Sequence, residues 1–132
     1  MSSIREFLRL DREEVTATHE VNLGRRLADY SFVIRPMTYD EWSRYQREAT
    51  SAGKNGKSQF DQGAFMEKAI TTCCIDPDFT LKGFIEENGC QTPNELLCSL
   101  LKPGEIVELG NAIIRLSGFD LSSAELVAEA KN

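Results

Sequence analysis

The segment "TPNELLCSLLKPGEIVELGNAIIRLSGF", residues 92–119, constrains the fold more than any other stretch. It holds two helix starts and one enforced stop. Thr92 can cap a helix, with Pro93 at the first helical position and Glu95 three residues after the cap. Leu96 then stacks on Leu100, and Leu97 on Leu101, one turn apart. Pro103 drives Lys102 out of the helical region and ends that helix. The same proline opens the next one, with Glu105 favourable near its positive end. This second helix carries Ile106, Leu109, Ile113 and Leu116 on one face, flanked by Val107 and Ile114. Gly110 inside it costs about 1 kcal/mol relative to alanine, which implies that another helix approaches closely there. Gly118 ends the run. A helical corner of this apolar density demands a covering layer, yet residues 100–120 hold no catalytic motif.

The covering layer is legible upstream. "SIREFLRL" places Ile4, Phe7 and Leu8 at helical spacing. "EEVTATHEV" alternates, with Val15, Ala17, His19 and Val21 on one side, which predicts a half-buried strand. "YSFVIRPM" is a second strand with Phe32 and Ile34 opposite Val33 and Arg35, and Pro36 marks an edge or an end of pairing. "TYDEWSRYQREA" opens with a capping box, Thr38 and Glu41, and buries a stripe of Trp42, Tyr45 and Ala49. In "DQGAFMEKAITTCC", Met66, Ala69, Ile70 and Cys73 share one face, and Pro77 stops the helix. "FTLKGFIEENG" holds a short helix with Leu81, Phe84 and Ile85. Ser122 stands three residues before Glu125, predicting a last helix whose apolar surface is Leu121, Leu126 and Val127. The expected fold is α+β, a mainly helical single domain over 1–132. A small antiparallel β-ribbon, with room for a third short strand, packs against about five helices. Residues 52–59, "AGKNGKSQ", are expected to be a mobile loop.

Charge and cysteine usage exclude several functions. Of the net charge of −6, residues 1–57 carry ten basic against nine acidic side chains, and residues 58–132 five against twelve. An acidic second half repels phosphate backbones and anionic lipid, so neither nucleic acid nor membrane is an expected partner. "MSSIREFLRLDREE" has no apolar core of signal-peptide length, and a cytosolic protein is the expectation. Cys73, Cys74, Cys90 and Cys98 do not have the CxxC spacing that a zinc site wants, and they read as buried free thiols.

No catalytic constellation emerges. His19 is the only histidine, and GxSxG and HExxH are absent. "GKNGKS" ends like a phosphate loop, but that motif needs glycine at the position of Ser51. The acidic residues Asp76, Asp78, Glu86 and Glu87 do not have calcium-loop spacing. Packing signals without chemistry fit a binding or assembly factor; a small cytosolic enzyme or metal-binding protein is the alternative.

"FVIRPMTYDEWSRYQREAT", "LLCSLLKPGEIVELGNAIIRLSGFD" and the terminal "LVAEAKN" together resemble the XkdN-like phage tail assembly chaperones of tailed phages and prophages. The "LLKPGE…LSGF" part is the specific one. The glycine-lysine loop at 53–57 has no counterpart in that pattern. The resemblance implies a non-catalytic role without cofactor or metal. It implies a partner, the long helical tape measure protein, which is bound and kept soluble in the host bacterial cytoplasm before the tail tube forms. The chaperone would be absent from the mature virion. It further implies other tail proteins and a frameshift-extended form of the chain itself as partners; "EAKN" permits an A-rich slippery codon pair. The residues expected to meet the partner are Ile114, Leu121, Leu126 and Val127, against the competing reading that all four are core.

Overall fold

Phe32 and Ile34 face inward and are buried while Val33 between them is half-buried, the period-two signature of a sheet covered on one face. The computed structural model describes residues 4–8, 17–53 and 56–119. In chain order these hold helix α1 (Ile4–Leu8), strand β1 (His19–Val21), a 3-10 turn (Arg25–Leu27), β2 (Phe32–Ile34) and α2 (Tyr39–Glu48). Then follow β3 (Thr50–Ala52), β4 (Ser58–Phe60), α3 (Gln62–Cys73), β5 (Cys74–Asp76), α4 (Lys82–Glu87), α5 (Pro93–Leu100) and α6 (Pro103–Leu116). The fold is α+β, as the sequence pattern predicts.

β2 is the centre of a three-stranded antiparallel sheet in the order β1-β2-β5. The third strand grows directly out of α3. Cys74 leaves the helix in extended geometry, and the next residues pair with β2 through a register shift at Val33/Ile34. Sequence periodicity places Cys74 in the helix, because a three-residue strand has too little pattern to stand against a helical run.

The stretch 52–59 departs from expectation. It is not simply a loop: Thr50–Ala52 pairs antiparallel with Ser58–Phe60. The ladder runs on past both strands, the Asp61 amide donating to the Ala49 carbonyl at 2.8 Å. Residues 52–59 lack large apolar side chains and give no strand signal; backbone pairing makes the hairpin, and Phe60 anchors it on Phe65 at the core.

The helices start where the caps place them. Thr38 accepts from the Glu41 amide while Glu41 accepts from the Thr38 amide, a complete capping box. Asp61 accepts from Ala64, and Thr92 from Glu95. α3 is the central helix, with Phe65, Met66, Ala69, Ile70 and Cys73 all buried. It packs most extensively against α6. That approach is possible because residue 110 is glycine: a Cβ there would collide with Met66 Sδ and stand 3.4 Å from its Cγ. Leu96, Leu97, Leu109 and Ile113 complete the core. Of the four cysteines, Cys73 and Cys74 are buried, Cys90 is half-buried and Cys98 is exposed, so the expectation of four buried thiols holds only for the first pair.

Candidate functional site

The corner at residues 100–105 is held from a distance. Arg26, in the 3-10 turn, donates to the Leu100 carbonyl at 2.7 Å and to Glu105 through Nε at 2.9 Å. Glu105 also accepts from the Lys102 amide at 2.7 Å, so one buried carboxylate closes the helix start and binds the arginine. Hydrogen bonds from Arg26 first, then from the Lys102 backbone, hold its carboxyl below the usual range. Arg25 adds a second pair to Glu108 one turn along, at 2.7 Å. The apolar corner is therefore architecture, clasped by the "GRR" turn.

A second clasp sits at "IRPMT". Arg35 forms a two-pronged pair with Glu41, both contacts at 2.9 Å, and its Nη1 donates to the Pro36 carbonyl at 3.0 Å. Its own amide donates to the Cys73 carbonyl at 2.9 Å. This fixes the start of α2 against the end of α3. The Arg35 guanidinium lowers the Glu41 carboxyl to about 2.

The two clasped segments meet. The buried Met37 amide donates to Ser117 Oγ at 2.9 Å, and Ser117 Oγ donates to the Ile113 carbonyl at 2.7 Å. Gly118, at φ +102°, then turns the chain so that Phe119 lies on Trp42, with ring centroids 5.6 Å apart. Trp42 in turn meets Tyr39 at 5.8 Å. Three aromatic rings thus form a ladder at the surface. Tyr39, 79% exposed, is the most exposed large apolar side chain among the described residues.

Such a ladder suits protein recognition. Tyr39 is exposed and Trp42 half-buried against the core, and Trp and Tyr offer the large rigid contact area that dominates interface hot spots. The ring spacing is close to the rise of one helical turn, about 5.4 Å. Along α6, Val107 turns outward at 44% exposure, and Ile114, two turns further on, is half-buried against the core margin.

Of the residues expected to bind a partner, Ile114 is thus placed between core and surface. Leu121, Leu126 and Val127 lie outside the described residues. Sequence reasoning missed Tyr39 and Phe119, and it assigned Trp42 to the buried stripe although only Tyr45 and Ala49 are fully buried there. The available signal was Tyr39 standing three residues before Trp42 on one helix. Phe119 gave none, since its ring contact is set by the fold. Among the described residues no three His, Cys, Asp or Glu side chains group so as to hold a metal, and no helix is long and apolar enough to cross a membrane.

Residues 4–131 match the family described as phage XkdN-like tail assembly chaperone protein. The chain belongs to this family. In fold the chain is also similar to a solved structure: the crystal structure of the protein yqbn superposes with a TM-score of 0.64 at 22% identity, covering 80% of this chain and 87% of that one. That likeness is one of fold alone. No curated protein sequence matches the chain.

Proposed function

We propose that this protein binds the tape measure protein of a phage or prophage tail and keeps it soluble until the tail tube assembles. The observation that carries this reading is the family match over residues 4–131. The aromatic ladder supports it, because a long helical partner exposes apolar stripes that self-associate unless a complementary surface covers them. On this reading the partner is met by Tyr39, Trp42 and Phe119 with Ile114, and by Leu121, Leu126 and Val127. The protein acts without catalysis in the host bacterial cytoplasm and does not enter the mature virion. Other tail proteins, and a frameshift-extended form of the chain, are its further partners.

Co-expression with the tape measure protein tests this. The large protein should appear in the soluble fraction and co-elute with this chain, and be insoluble without it. The paired substitution Leu126→Ser and Val127→Ser should abolish co-elution. A tape measure protein that stays insoluble and unbound with both the short and the extended form would refute the function.

A further inference from the structure

The sheet is not covered as far as its edge. His19 and Val21 stand opposite Ile34 and Phe32, which are buried, yet His19 is exposed and Val21 only half-buried. Between β1 and the second half of α6 runs a groove of about 380 Å³. Its apolar floor is Val21, Ile34, Ala112 and Leu116, and Arg115 and His19 stand at its rim with Glu20 reaching it from β1. Among the described residues nothing pairs with the outer side of β1. Arg25, Arg26 and Arg35 each hold a carboxylate, whereas Arg115 makes no ion pair among the described residues.

A free strand edge beside an apolar groove is the geometry of strand addition. The edge offers unpaired backbone donors and acceptors, and the groove takes alternate side chains of the added strand. An incoming strand sends residues two apart to the same face, so one can reach the apolar floor while the next reaches the rim. There, an anion would complete Arg115. We propose that β1 accepts an extended segment of a partner protein in which an apolar and an acidic residue stand two positions apart. This site shares no residue with the aromatic ladder, though Ala112–Leu116 spans Ile114; unshifted Tyr39 and Trp42 amides therefore separate it from the tape measure reading.

The probe is the blocked peptide acetyl-Thr-Leu-Thr-Glu-Thr-Leu-Thr-amide, titrated into the nitrogen-labelled full chain and followed by amide shifts. Shifts should concentrate at His19–Val21 and Ala112–Leu116. Replacing the peptide's glutamate by lysine should weaken binding about tenfold, the range of one charge-assisted pair. Arg115→Glu should invert that preference. Because Arg115 is exposed, the variant should keep the fold; if it does not, Arg115→Gln should erase the preference instead. Equal binding of both peptides, shifts centred on Tyr39 and Trp42, or no shifts in a folded sample would overturn the proposal. So would edge shifts that depend on protein concentration alone, which would mark β1 as a contact between copies of this chain.

Discussion

Arg35 and Glu41 show how much of this surface rests on single side chains. Glu41 completes the cap of α2 through the Thr38 amide and accepts both prongs of Arg35, so the helix that bears Tyr39 and Trp42 is set by one carboxylate. Its carboxyl is lowered from an ordinary value of 4.5 to about 2, first by the Arg35 hydrogen bonds. A depressed carboxylate contributes stability above the ordinary value and loses it as pH falls through the folded value. Unfolding free energy should therefore decline between about pH 4.5 and about pH 2. Glu41→Gln should cost about 1–2 kcal/mol at neutral pH, discounted for partial exposure, and should flatten that acid limb. Urea titrations across that range check it; parallel acid limbs for the two proteins would contradict the role of the pair. The capping box was legible because Thr38 and Glu41 are local in sequence. The Arg35 clasp was not, since nothing in "IRPMT" says which carboxylate its guanidinium meets. The cysteines teach the same lesson. Cys73 and Cys74 are pushed up to about 12 by burial. Cys98 is raised to about 11, chiefly by its hydrogen bond to Glu67, a contact across elements that spacing cannot reveal.

At the scale of elements, start and stop signals carried the reading of the helices. Thr38 and Thr92 cap as the sequence predicts, and the structure adds Asp61 as the cap of α3. Gly110 was read correctly as a site of close approach, and the neighbour is Met66 of α3. Gly110→Val should therefore destabilise by about 2–3 kcal/mol through overpacking, outweighing any gain in the helix itself. Thermal unfolding checks this, and an unchanged Tm would mean that α3 and α6 are not held at that distance. The short strands were poorly legible. β5 and the β3–β4 hairpin are each three residues per strand, and strand pairing, distant for β5 and local for the hairpin, creates them rather than alternating hydrophobicity.

The whole molecule brings together what the sequence keeps far apart. The segments that carry the family resemblance, around "IRPMTYDEW" and "LLKPGE…LSGF", serve mostly as clasps, and their ends join at Met37–Ser117 and Trp42–Phe119. The family was legible because its motif lies in continuous stretches. The aromatic ladder was not, because it exists only after α2 and the end of α6 are docked. The central claim is that this ladder captures the partner, and Tyr39→Ser is its cleanest probe: at 79% exposure the side chain has little folding role, so stability should stay within about 0.5 kcal/mol. The measurement is co-elution of tape measure protein with the unaltered chain, with Tyr39→Ser, and with Tyr39→Ser combined with Trp42→Ser. The account predicts weakened capture by the first variant and loss of capture by the second while its circular dichroism remains native. Full capture by a natively folded double variant would contradict it.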